Sequence, residues 1–151
     1  MPTRPQIVAC ARTYIGTHFA HQGRLKGVGL DCVGLPLCVA GELGLKSTEG
    51  QSINGDMNRH YSPQPTGDFV HQMCAKYLVR KGVSAMQPGD VLTLRIETAA
   101  CHVAIVGDSP EGLTLIHAYS GGAEKVVEHR IDDRWHKRIV GCFSFPEVVE
   151  E

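Results

Sequence analysis

The chain has no apolar run long enough to cross a bilayer as a helix. It has no sizeable run of like charge either. Its net charge is −1 with eight histidines counted as neutral, so nucleic acid is not an indicated partner. No Cys-x-x-Cys pair occurs, which argues against a zinc ribbon or a thioredoxin-type site; neither a metal nor a cofactor is expected. The start, Met1-Pro2-Thr3-Arg4-Pro5-Gln6, lacks the apolar core of a signal peptide. Synthesis in the cytoplasm, without export by the usual route, is the expectation. Internal repeats and low-complexity segments are also missing.

What is present fits one α+β domain over residues 1–151, long enough for a hydrophobic core. The six cysteines are expected to be thiols, because a chain of this length without an export signal needs no disulfide staples. Cys10, Cys38, Cys74 and Cys142 lie among apolar neighbours and read as small core residues. The acidic end from Glu147 to Glu151 reads as a solvated tail.

The two halves differ. Residues 4–80 carry helical patterns and loops. Apolar positions from Pro5 to Tyr14 predict a first helix that Gly16 stops. A glycine-rich loop over 16–30 follows, then a helix from about Cys32 to Leu43 with Asp31 as N-cap and Gly44 as its stop. Residues 46–66 are a long polar connection. A third helical pattern runs from Phe69 to Val79. After the Pro88-Gly89-Asp90 turn, strands are predicted near 91–96, 102–107, 113–119, 125–129 and 138–145. They make a roughly five-stranded antiparallel sheet. Helices first and strands after indicate segregated α+β layers.

The chemistry centres on Leu30-Asp31-Cys32-Val33-Gly34. This pentad sets a cysteine where a helix begins, and the unpaired N–H groups of a first helical turn favour a thiolate. Two histidines are candidates to serve it. With Asp108-Ser109-Pro110-Glu111 as a four-residue hairpin loop closed by Gly107 and Gly112, His102 lies directly opposite His117 on one sheet face. One ring can then orient the other, the base-plus-orienter arrangement of nucleophilic catalysis. A one-residue slip would send the rings to opposite faces. The remaining histidines, His18, His21, His60, His71, His129 and His136, read as surface or loop residues. Strand alternation turns Cys101 away from the His102 face, as a core thiol.

With these residues in place, the chain resembles the NlpC/P60 cysteine peptidases, most closely their short phage and prophage cell-wall peptidase form. The resemblance runs from about Arg4 to Pro146. It rests on Tyr14-Ile15-Gly16-Thr17, His21-Gln22-Gly23-Arg24, Gly27 to Leu35, Gln87-Pro88-Gly89-Asp90-Val91, His102-Val103-Ala104-Ile105-Val106 and Ile116-His117-Ala118. It implies a papain-like α+β fold with N-terminal helices on the sheet. It also implies Cys32 as nucleophile, His102 as general base and acid, and His117 as the residue orienting it. The Cys32 backbone N–H would contribute to an oxyanion hole. The substrates it implies are peptidoglycan stem peptides, cut between D-glutamate and the diamino acid. Three further positions map to the substrate side of the motif. Asp31 caps the helix, meets a substrate amine, or does both. Phe19 stands where many members carry tyrosine, and Val33 where many carry serine.

The resulting expectation is a peptidoglycan-cleaving thiol hydrolase, associated with a phage-like tail or particle and its tail-tip proteins. Three alternatives stay open: a structural tail component with a vestigial site, a thiol acyltransferase on the same scaffold, and a zinc site built from Cys32, His102 and His117.

Overall fold

The computed structural model describes residues 1–50, 53, 69–96, 99–119, 124–146, 148 and 149, with backbone alone for Phe69 and for residues 99–101. His60, most of the polar connection and the side chain of Cys101 lie outside the described residues.

Helix α1 spans Arg4–Arg12. Thr3 and Gln6 close a capping box: Thr3 Oγ1 accepts from Gln6 N at 3.2 Å, and Gln6 Oε1 accepts from Thr3 N at 2.9 Å. Its buried face is Ile7, Val8 and Ala11. The helix stops at Arg12, earlier than the apolar pattern suggested, and turns carry the chain to Gly16 at φ +93°. A minimal hairpin, β1 (Arg24–Leu25) with β2 (Gly29–Leu30), shapes the loop before the pentad. Helix α2 spans Gly34–Leu43 and ends on Gly44 in the left-handed region at φ +66°. Helix α3 spans Phe69–Tyr77.

The sheet has six antiparallel strands in the order β3-β8-β4-β5-β6-β7. They are β3 (Val79–Lys81), β4 (Val91–Ile96), β5 (Ala99–Ser109), β6 (Gly112–Tyr119), β7 (Lys125–Arg130) and β8 (Ile139–Ser144). The added strand is β3, where the helical pattern was read through to Val79. Three residues are too few to show a period of two, and pairing with β8 decides their state. A short helix α4, Asp133–His136, was also not foreseen; Asp132 caps it by accepting from Trp135 N at 2.9 Å.

The β5–β6 hairpin corrects the expected register. Ser109 pairs with Gly112, and Ile105 with Ile116, so the loop is the two residues Pro110 and Glu111. Proline suits the second position of a tight turn. Gly112 takes φ +134°, a value side-chain-bearing residues avoid. The shift from the expected pairing is two residues, so every side chain keeps its face.

Two cores result. On one face, α1, α2 and α3 bury Ile7, Leu35, Val39 and Val70 against Val103, Ile105, Ile116 and Phe143. On the other, Leu92, Leu94, Ala104, Val106 and Leu115 pack with Trp135 of α4. The alternation of β5 thus points Val103 and Ile105 at the helices, and His102 with Ala104 and Val106 away from them.

Candidate active site

The pentad is held by a loop with little spare room. A Cβ on Gly34 would lie 2.5 Å from the Gly23 carbonyl oxygen, and one on Gly23 would lie 2.5 Å from that of Gly29. Only glycine fits this interlock. Asp31 is the polar centre of the same loop. Its Oδ1 accepts from Gly34 N at 2.7 Å and from the Arg24 guanidinium at 3.1 Å, and its Oδ2 accepts from Gln22 N at 2.9 Å. The regular helix begins at Gly34, two residues later than the sequence suggested. Val33 is its N-cap, and Asp31 braces the helix start by accepting from Gly34 N, so Cys32 stands in the turn just before the helix. Both Asp31 oxygens accept hydrogen bonds within the loop.

Cys32 is half-buried and packs against the helix-side core, as does Phe19. Phe19 N donates to Glu124 O at 2.8 Å, tying this loop to the start of β7. Val33 points inward: it is 8% exposed and lines an apolar cavity of about 50 Å³ together with Leu37, Val70 and Val103. Val33 and Val103, the residues that follow Cys32 and His102 in the chain, thus line the same cavity.

The histidines form a file. His102 Nε2 lies 2.7 Å from His117 Nδ1. His117 Nε2 lies 2.8 Å from His129 Nε2, and His129 Nδ1 lies 2.9 Å from the Arg130 carbonyl oxygen. His102 is 5% exposed and His117 fully buried. Tyr119 stacks on His117 at 16°, and Trp135 meets the same ring edge-on at 88°. The first pair was expected from the sequence, although the two-residue register change makes it a diagonal contact rather than a directly opposed one.

Burial disfavours charge on these rings. His102 is pushed down to about 4, with the Arg138 guanidinium and His129 adding repulsion. His117 is lowered further, again chiefly by burial. Both rings are neutral at pH 7. Apart from His102 Nδ1, the nitrogens of the file engage one another and the Arg130 carbonyl rather than a common point. Among the described residues no cluster of three His, Cys, Asp or Glu has the geometry to hold a metal.

Two histidines read as surface or loop residues are neither. His129 is half-buried in β7 and belongs to the file. His71 on α3 contacts Thr93 Oγ1 at 2.9 Å and meets Phe143 edge-on. His129 had a signal that was missed: in an antiparallel neighbour of β6, it has the parity to share a face with His117. His18, His21 and His136 are exposed. Of the other thiols, burial pushes Cys10 up to about 11 and Cys74 and Cys142 to about 12, so all three stay protonated at neutral pH.

No family model and no curated protein matches the chain. Solved structures do. The NlpC/p60 domain of the peptidoglycan hydrolase SagA superposes with a TM-score of 0.60 at 24% identity, covering 95% of this chain and 99% of that one. An NlpC/P60 family protein from Bacillus cereus gives 0.64 at 16% identity, over 95% of this chain and 40% of its own length. An N-acetylmuramoyl-L-alanine amidase from Bacteroides uniformis gives 0.58 at 12% identity, over 93% and 96%. The helices on one face of a six-stranded antiparallel sheet are therefore the papain-like fold of the NlpC/P60 domains.

Proposed function

We propose that the protein is a cysteine peptidase of the cell wall that cleaves peptidoglycan stem peptides. The observation that carries this reading is the file of histidines. Its hydrogen bonds engage Nε2 of His102 and leave Nδ1 of a neutral imidazole as the atom that can accept a proton. Cys32, in the turn that leads into α2, supplies the thiol. The similarity in fold to a peptidoglycan hydrolase and to an amidase supports an amide of the wall as the target.

In this mechanism His102 Nδ1 takes the Cys32 proton as Sγ attacks the amide carbonyl carbon. The tetrahedral oxyanion is received by the Cys32 backbone N–H. The C–N bond breaks as His102 returns the proton to the leaving amine. That leaves a thioester on Cys32, and a water deprotonated by His102 releases the acid and restores the thiol. Phe19, on the loop before the pentad, supplies an apolar contact for substrate. A tail-associated setting in a phage-like particle belongs to the same reading, since the sequence most resembles the phage and prophage form.

Zymography on purified peptidoglycans of several wall types tests it. Clearing by the wild type that Cys32→Ala loses is the expected result. No clearing on any wall type would overturn it.

A further inference from the structure

The file ends on a group that can only accept, and this fixes every proton in it. The Arg130 carbonyl accepts, so His129 donates from Nδ1, and in that tautomer its Nε2 is a lone pair. His117 must then donate from Nε2 and accept at Nδ1. His102 in turn donates from Nε2 to His117. The lone pair on His102 is left on Nδ1. Reversing any one ring would set two N–H groups, or two lone pairs, against each other at 2.7–2.8 Å.

We propose that His129 is a positioning residue whose contact with the Arg130 carbonyl sets, through His117, the tautomer in which His102 acts as a base. The inference rests on the reading of His102 as the general base, but its structural content can be measured without catalysis. Among the described residues the groups facing His129 are few. They are His117 from β6, the Trp135 ring of α4 at 5.1 Å, and the Arg138 guanidinium stacked 4.7 Å over that indole. None of them can replace the carbonyl: His117 is already committed to His102, and Arg138 offers donors only.

The test is long-range ¹H–¹⁵N correlation on the full chain at pH 7.5, which reads each histidine tautomer. The wild type is expected to show Nε2–H for His102 and His117, and Nδ1–H for His129. Finding His129 as Nε2–H in the folded wild type would overturn the proposal. Two variants sharpen it. Gln at 129 offers a carbonyl oxygen to His117 Nε2–H, whereas Leu offers nothing. His129→Leu should mix the His102 tautomers and slow peptidoglycan solubilisation by about a hundredfold. His129→Gln should keep Nε2–H on His102 and restore the rate to within about tenfold of wild type. A His102 that stays wholly Nε2–H in His129→Leu would overturn the proposal. Should the wild type show the expected tautomers but solubilise no peptidoglycan, the positioning inference stands and the hydrolase reading falls.

Discussion

The two faces of the sheet are built on different principles. The centre of the helix-side face is aliphatic, with Val103, Ile105 and Ile116 meeting Ile7, Leu35 and Val39. Each contact there is non-directional, and the loss of one methyl group is felt in proportion to its volume. The other face begins the same way, with Leu92, Leu94 and Leu115, then passes into three ring systems joined nitrogen to nitrogen under Trp135. Contacts in that file are directional and mutually dependent, because a buried donor without an acceptor costs more than the bond itself contributes. One face therefore tolerates graded change, while the other responds nearly all at once. The residues proposed for catalysis straddle this division, Cys32 on the graded side and His102 on the dependent side.

The largest effect expected is on activity. Cys32→Ala should remove peptidoglycan solubilisation by roughly a thousandfold or more while leaving the thermal midpoint within a degree or two, as for a nucleophile outside the dense core. A variant that keeps a tenth of wild-type activity would separate the helix-side face from the chemistry.

Next comes packing on that face. Ile105→Ala should cost about 2–5 kcal/mol in denaturant unfolding, with activity per folded molecule retained. A cost under about 1 kcal/mol would mean that the interior collapses around the gap, contrary to a densely filled core.

On the opposite face His117→Leu keeps the volume but strands the Nε2–H of His102. Its cost should be smaller, about 1–3 kcal/mol, yet activity should fall with it. Unchanged activity in that variant would show that the file does not serve the base.

The mildest perturbation is acid. His102 lies at about 4, against an ordinary value of 6.5, because burial disfavours its charged form. The unfolded chain therefore binds a proton that the folded one refuses between those values. Stability from this group is full above pH 6.5 and is lost as pH falls towards 4, and His117 adds in the same direction. Denaturant midpoints measured at intervals between pH 7.5 and 4 should decline through that window. In His102→Leu the decline should be shallower; an identical slope would remove His102 as its cause.

Much of this arrangement was legible in the sequence because it depends on local rules. Asp31 precedes a helix and accepts from Gly34 N at its start, Gly44 follows it and ends it, and strand parity sets His102 and His117 on one face. What escaped depends on partners distant in the chain. The hairpin register hinged on whether Asp108 and Ser109 belong to a loop or to a strand. Arg12 of α1 binds the Asp108 carbonyl at 2.6 Å, a contact no local pattern contains. β3 exists because β8 is there to pair with it. Nothing local to Lys125–Arg130 marks His129 as buried; its place is set by His117 across the strand pair. Val33, mapped to the substrate side by resemblance, lies with its side chain in the core beside Val103.

The loop that leads to Cys32 also has a consequence for the molecule as a solute. β7 is an edge of the sheet, and an edge strand with open N–H and C=O groups invites pairing with another molecule. Residues 16–19 occupy part of that edge. Gly16 N donates to Val126 O, Val126 N to Thr17 O, and Phe19 N to Glu124 O. The segment that delivers the nucleophile thus doubles as a seal against self-association. Substitutions that loosen it, such as a bulky residue at Gly23, should show up as growth of large particles in light scattering before any change in the chemistry is detected.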